Sequence, residues 1–491
     1  MNCLRFCCVP STVLVLTSLL VVEAAADIRL PGVFSDNMVL QRGDKVRIWG
    51  SAEPGETLKI TLGDSSCETT ADEAGNWTAW VVPPPAGGPY ELVIAGTDAQ
   101  VVFSDVLVGE VWLCSGQSNM QWSMKQSTEI EDPDAWNEHL GGLVDSNIRM
   151  LTVPANAVEE PARNFSQPTG WQTCSPDVIS DFSATAFYFA RALRESERLG
   201  DVPIGLIDSS WGGTPGEAWV SRAALDQQES LAPLLTHWDE ISDNNRPQHR
   251  PGNLFNGMIA PLIPYNIRGV IWYQGEANVG RARQYVTILK TLIEDWRARF
   301  GQGDFPFYIV ELAPFRYGNR DPQALAELWI AQQAATELPN VAIAPSTDIG
   351  NPADIHPKNK ETVGQRLGNI ARNRIYGETG VPWAAPRYRC CNRVPDTNQM
   401  TIQLDAAEGL HCSGDAPGGF LICAADGNFV PAQARIENDQ VIVWSDDVAD
   451  PVAVRYLWND TASGDLFNAA GLPVLPFRTD DFQLLSRDRH F

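Results

Sequence analysis

The chain has 491 residues, of which 44% are hydrophobic and 20% charged, and 36 Lys+Arg against 61 Asp+Glu give it a net charge of −25. A chain of this length implies about two to four domains around sizeable cores. The acidic balance argues against nucleic acid and anionic membrane surface as partners, since both require clustered positive charge.

The N-terminus carries Arg5, then the apolar run Val13–Val22, then Ala24-Ala25-Ala26. A charged start, a short apolar core and small residues are the pattern of a cleaved export signal. The apolar run is shorter than the ~20 residues a spanning helix needs. Residues 1–26 are therefore expected to be removed, leaving a periplasmic or secreted protein without a membrane span.

Residues 27–105 alternate apolar and polar positions in short runs such as Lys45–Gly50 and Thr57–Leu62. Turns at Pro54-Gly55-Glu56 and Ala74-Gly75-Asn76 divide them, which predicts a small β-sandwich. From 106 to 382 strands alternate with helices. The strand candidates are Val106–Cys114, Pro203–Asp208, Arg268–Tyr273, Phe307–Leu312 and Val341–Pro345. Helices are predicted over Ser183–Leu199, Gln284–Phe300 and Pro322–Glu337. This order predicts a mostly parallel sheet covered by helices, with ligands beyond the carboxyl ends of its strands. Residues 383–491 return to a β pattern, in Met400–Leu404, Gly419–Cys423, Gln440–Trp444 and Val452–Leu457.

Seven cysteines follow the signal segment: Cys67, Cys114, Cys174, Cys390, Cys391, Cys412 and Cys423. In an oxidising compartment the last four are expected to form two disulfides. Zinc is the weaker reading, because the adjacent Cys390-Cys391 pair lacks the usual C-x₂₋₄-C spacing. Cys114, within an apolar strand, reads as core.

Chemistry is concentrated at the predicted strand ends. Val108–Met120 runs from an apolar strand into the turn Gly116-Gln117-Ser118-Asn119, which would present Ser118 as a nucleophile. Such a serine needs a base, usually histidine. His356 lies in the loop after Val341–Pro345, with Asp354 two residues before it and Asp348 further back. Either carboxylate could fix the imidazole tautomer. Oxyanion donors are available in Asp208–Trp219, which contains Gly212-Gly213, and in Ile271–Asn278, which contains Gln274 and Asn278.

These segments resemble the sialate O-acetylesterase family of the SGNH hydrolase superfamily. The resemblance rests on Asp36–Arg42 (DNMVLQR), Gly116–Met120 (GQSNM), Ser210–Thr214 (SWGGT), Trp272–Asn278 (WYQGEAN), Asp354–Lys360 (DIHPKNK) and Gly471–Asp480 (GLPVLPFRTD), in that order along the chain. It implies a flavodoxin-like three-layer α/β/α catalytic domain with flanking β domains. It also implies removal of acetyl groups from sugar hydroxyls, with no metal or cofactor. Carried over to this chain, Ser118 is the nucleophile and His356 the base. Ser118, Gly213 and Gln274 form the oxyanion hole, and Asn119, Trp211, Glu276 and Asn278 support the site or touch substrate. The superfamily places its aspartate three residues before the histidine. Ala353 stands there, so Asp354 takes the role, with Asp348 in reserve. The Gly-Gln-Ser-Asn turn also differs from the G-x-S-x-G elbow of α/β-hydrolases.

The expected partner is an acetylated sugar or polysaccharide. An acetyl-xylan-type deacetylase, a non-catalytic carbohydrate-binding protein, and a glycoside hydrolase using Glu217 and Glu276 are the competing readings. Of the tryptophans, Trp122, Trp211 and Trp272 lie beside the expected site.

Overall fold

The computed structural model describes residues 28–43, 45–241 and 246–489. The expected export signal, residues 1–26, lies outside the described residues.

The N-terminal strands β1 (Val39–Gln41), β2 (Val46–Ser51), β3 (Thr57–Leu62), β4 (Ser65–Thr70), β5 (Asn76–Val81) and β6 (Gly87–Ala95) lead into a 17-residue strand, β7 (Gln100–Gly116). β2 pairs with β5, and β3 pairs with both β4 and β6. In β3 and β5 every second residue is buried, so Leu58, Ile60, Leu62, Trp77, Ala79 and Val81 enter a common core while their neighbours face water.

β7 joins the two halves of the architecture. Its first part pairs antiparallel with β6, and its second part runs parallel to β1. The same second part then lies between β10 (Ile204–Ser210) and β11 (Gly269–Tyr273), parallel to both. The sequence pattern changes at Asp105 because the strand changes partners there, not because it ends. The parallel sheet continues through β8 (Ile148–Thr152) outside β10, and through β12 (Phe307–Val310) and β13 (Val341–Ala344) outside β11. The short β9 (Gln172–Thr173) pairs antiparallel with β8 at that edge. The fold is therefore mixed α/β, with one large central sheet and additional β-sheets.

Two helix pairs pack on this sheet. Ala184–Arg194 lies on Lys360–Arg374, where Gly364 and Gly368 permit contact: a Cβ on them would come within 2.5 Å of Tyr188 Cβ and 2.3 Å of Ala192 Cβ. Trp112 of β7 meets Phe189 of this pair edge-on at 4.9 Å. Ala282–Phe300 packs with Ala324–Ala334, and Trp272 of β11 meets Trp296 at 5.8 Å. The helix expected to reach Leu199 stops at Arg194. There the Arg194 guanidinium donates to the carbonyls of Gly200 and Val202 and to Asp145, folding the following segment back in turns.

The C-terminal region forms small antiparallel sheets, one from Arg387–Arg393, Gln399–Asp405, Gln440–Trp444 and Gln433–Glu437. All seven expected cysteines are free, which corrects the two-disulfide expectation. Cys390 and Cys391 are neighbours on one strand, whose successive side chains point to opposite faces, and Cys423 is buried on a strand of a different sheet. Cys114 is fully buried in the core.

Two of the segments carrying the family resemblance serve the fold. In Asp36–Arg42, Gln41 accepts the Val111 N–H, and Arg42 pairs with buried Glu110, which Arg268 also grips. In Gly471–Asp480, the Asp480 carboxylate holds Arg455 and Arg478.

Candidate active site

Chain order reverses across β7, with β10 on one side and β11 on the other, so a crevice opens at its carboxyl end. Ser118 sits there, half-buried, as the first residue of the one-turn helix Ser118–Gln121. Gly116 makes this turn possible. A Cβ on it would lie 2.1 Å from the Tyr273 carbonyl oxygen, and its φ of +139° is one that side-chain-bearing residues rarely adopt.

Hydrogen bonds lash the neighbouring strand ends to that turn. The Gln117 N–H donates to the Tyr273 carbonyl at 3.0 Å, and Gln117 Oε1 accepts the Ala277 N–H at 3.3 Å. The Trp211 N–H donates to the Gly116 carbonyl, and Gln121 Oε1 accepts the Gly212 N–H at 2.8 Å. Gly212 is so close that a Cβ on it would lie 3.2 Å from Ser118 Cβ. The N–H groups of Ser118 and of the adjoining Gly213 find no acceptor among the described residues.

His356 arrives from the loop after β13, and its Nε2 lies 2.8 Å from Ser118 Oγ. Trp122 stacks on the imidazole, with ring centres 4.4 Å apart and planes 20° from parallel. The loop is held from outside as well. Gly350 rests against Pro314, the Arg316 N–H donates to the Pro352 carbonyl, and the Gly464 N–H of the C-terminal region donates to the Thr347 carbonyl.

The carboxylates depart from expectation. Asp354 Oδ1 accepts the backbone N–H of His356 at 2.9 Å, a local turn bond, and acts on the ring through its charge. Asp348 is engaged by Arg366 in a two-pronged pair at 2.7 and 2.6 Å, and so is not an orienting group.

Gln274 is fully buried, and its amide nitrogen donates to Asn278 Oδ1 at 2.7 Å and to the Thr214 carbonyl at 3.2 Å. Tyr285 donates to its Oε1. With both amide protons spent, Gln274 is not an oxyanion donor in this structure. Asn278 is likewise enclosed. It donates to Glu217, which pairs with Arg281, and accepts from Gly216. Trp272 is core, whereas Trp211 stays half-exposed. Glu217 and Glu276, the two carboxylates of a glycosidase scheme, are both buried, and Glu217 is ion-paired.

One residue of the Asp354–Lys360 segment had no expected role. Lys360, at the start of its helix and buried, places Nζ 2.5 Å from Asn119 Oδ1. Asn119 Nδ2 donates to Glu276 Oε1 at 2.5 Å and to the Ile355 carbonyl at 3.0 Å. Asn119 thus bridges the buried Lys360 amine and the buried Glu276 carboxyl group, and ties the residue after the serine to the residue before the histidine. The only sequence signal was a lysine four residues after His356 at a helix start.

Burial, and then the Lys360 ammonium, hold the His356 pKa below its usual value, while the Asp354 charge pulls it upward. Burial likewise brings Lys360 down to about 7. An imidazole held low is free to accept a proton at neutral pH. The acid limb of the rate profile should therefore lie below ~6.5, the ordinary histidine value. Lys360→Met should move that limb to higher pH and Asp354→Asn to lower pH, as read from kcat/KM against pH. Shifts of the same sign in both variants would contradict this electrostatic account.

Among the described residues no group of three or more His, Cys, Asp and Glu side chains is arranged to hold a metal ion, and no helix is long and apolar enough to cross a membrane.

A family model described as carbohydrate esterase, sialic acid-specific acetylesterase, matches residues 108–373, which include every residue of this cluster. The chain belongs to that family. Among curated relatives it is 30% identical to the sialate O-acetylesterase of Pongo abelii over 400 residues, 74% of each chain. It is 28% identical to that of Mus musculus over 502 residues, 89% of this chain and 90% of the relative. A crystal structure of a carbohydrate acetylesterase from Xanthomonas citri superposes with a TM-score of 0.83 at 35% identity, covering 93% of this chain and 100% of that one. The family match also bears on the serine: the GQSNM turn, its histidine loop and the strand ends between them all fall inside it.

Proposed function

We propose that this family member is a serine esterase that removes O-acetyl groups from sugars, of the sialate O-acetylesterase type. The Ser118 Oγ to His356 Nε2 contact of 2.8 Å, inside the matched region, carries the reading. An SGNH-type, flavodoxin-like catalytic layer agrees with it: leaving aside the edge strand β8, β10-β7-β11-β12-β13 gives the strand order 2-1-3-4-5, and one helix pair meets Trp112 while the other meets Trp272. Export after loss of residues 1–26 belongs to the same reading and rests on the sequence.

In the reaction, Ser118 Oγ bonds to the acetyl carbonyl carbon as its proton passes to His356 Nε2. The carbonyl electrons move onto oxygen, which is met by the free N–H groups of Ser118 and Gly213. As the tetrahedral centre collapses, the bond to the sugar oxygen breaks and His356 returns the proton to that oxygen. Water then repeats the sequence on the acetyl-serine, releasing acetate. The Asp354 charge favours the imidazolium formed in each half. Asn119, Glu276 and Asn278 are positioning residues, because all three are buried and bonded to other protein groups.

An acetate-release panel of 9-O-acetyl sialic acid, acetyl-xylan and a chromogenic acetate tests the reading. Release from the sialate ester is expected. No release from any of the three would overturn it.

A further inference from the structure

The parallel sheet has a second open end, opposite the catalytic one. Arg268, Pro306 and Asn340 directly precede β11, β12 and β13, and all three line a cleft of about 810 Å³ there. On β7, Glu110 marks this end and Gly116 the catalytic end; at ~3.3 Å per residue they lie ~20 Å apart. Neither Ser118 nor His356 belongs to the cleft.

Its charge opposes that of the chain. Arg42, Lys45 and Arg268 line it against one carboxylate, Asp304, which itself lies 3.8 Å from Arg297. Arg42 and Arg268 share the fully buried Glu110, so two guanidinium groups rest on a single carboxylate. Arg42 reaches it through Nε alone. Its two Nη groups have no partner among the described residues and stay open to solvent. Lys45 is exposed and, among the described residues, unpaired.

Trp80 adds an aromatic surface to the same cleft. Alternation along β5 turns Asn76, Thr78 and Trp80 outward. Trp80 is 45% exposed, and among the described residues no other aromatic ranks with the large exposed hydrophobics. Arg47, its partner across on β2, lies over the indole at 4.4 Å and braces it.

We propose that this cleft is a second carbohydrate site, which holds a carboxylate-bearing stretch of polysaccharide at a distance from the serine. The C–H face of a sugar ring lies on the indole, and its carboxylate meets the free Arg42 Nη groups and the Lys45 ammonium. The volume falls within the ~300–1,000 Å³ of ligand sites. Nucleic acid and anionic membrane need a longer run of cations than this patch offers in a chain of net charge −25. The binding claim goes beyond the esterase reading and does not depend on it.

Native gel electrophoresis of the full chain, with polygalacturonate, neutral xylan or a single-stranded DNA oligonucleotide cast in the gel, tests the proposal. Polygalacturonate should retard the wild type and Ser118→Ala equally, and xylan and DNA should retard neither. Trp80→Ala should weaken that binding about tenfold, equivalent to ~1.4 kcal/mol, and Lys45→Glu should act in the same direction. Both variants should hydrolyse an aryl acetate as the wild type does. If Trp80→Ala fails to fold, Lys45→Glu on the exposed rim carries the same expectation. No retardation by polygalacturonate, equal retardation by xylan or DNA, or unchanged binding in Lys45→Glu would overturn the site. Loss of polygalacturonate binding in Ser118→Ala would overturn its separation from the serine. An aryl acetate left uncut by the wild type would instead count against the esterase reading.

Discussion

Ser118→Ala is expected to lower kcat for acetate release by about 10⁴-fold or more, the range seen when a serine nucleophile is removed. The reason is local. Oγ is the atom 2.8 Å from His356 Nε2, and the residues around it place no second hydroxyl against that nitrogen. Stability should hardly change, because Ser118 is only half-buried and among the described residues its hydroxyl bonds only the His356 ring. Urea unfolding of the variant should therefore overlay the wild type while acetate release collapses. His356→Ala should match it in rate, and the double variant should be no slower than either single one, since the two act as a unit.

Asn119→Leu carries the largest expected effect on stability. It strips a hydrogen bond from buried Lys360, another from buried Glu276 and a third from the Ile355 carbonyl. Leaving a buried polar group without its partner costs about 1–3 kcal/mol, more where the group is charged, and that loss should appear as a lower midpoint in urea. The rate should fall as well, because the tether between the serine turn and the histidine loop is gone. A misplacement of about 1 Å can cost ~10²-fold. Combining Asn119→Leu with Lys360→Met and Glu276→Leu removes the stranded groups, so it should regain part of the stability but not the rate. A single variant within about 1 kcal/mol of wild type would show that the bridge bears no such energy.

The strands, the serine turn and the histidine loop could be read from the sequence because each is a local pattern: an apolar run that stops at a polar turn. What could not be read depends on partners far away in the chain. Gln274 follows β11 in a motif rich in polar side chains, and only the fold shows that Tyr285 and the Thr214 carbonyl enclose its amide. Asp354 was expected to face the ring, but an aspartate two residues before a backbone N–H often closes a turn on it instead. Asp348 had a partner 18 residues onward in Arg366, on the helix Lys360–Arg374. The four C-terminal cysteines are close in sequence yet occupy three strands in three different sheets, with Cys390 and Cys391 adjacent on one of them.

Lys360 shows the same limit from the other side. It stood in a quoted segment without a role, since a single lysine gives no sign of being buried. Its place became visible only when Asn119, 241 residues away, was found between it and Glu276.

Covalent trapping tests the central claim most directly. A fluorophosphonate ester, incubated with the full chain at neutral pH, should abolish acetate release with one label per chain, and peptide mass mapping should place that label on Ser118. His356→Ala should label far more slowly. A label on another residue, or full activity after stoichiometric labelling of Ser118, would contradict the account.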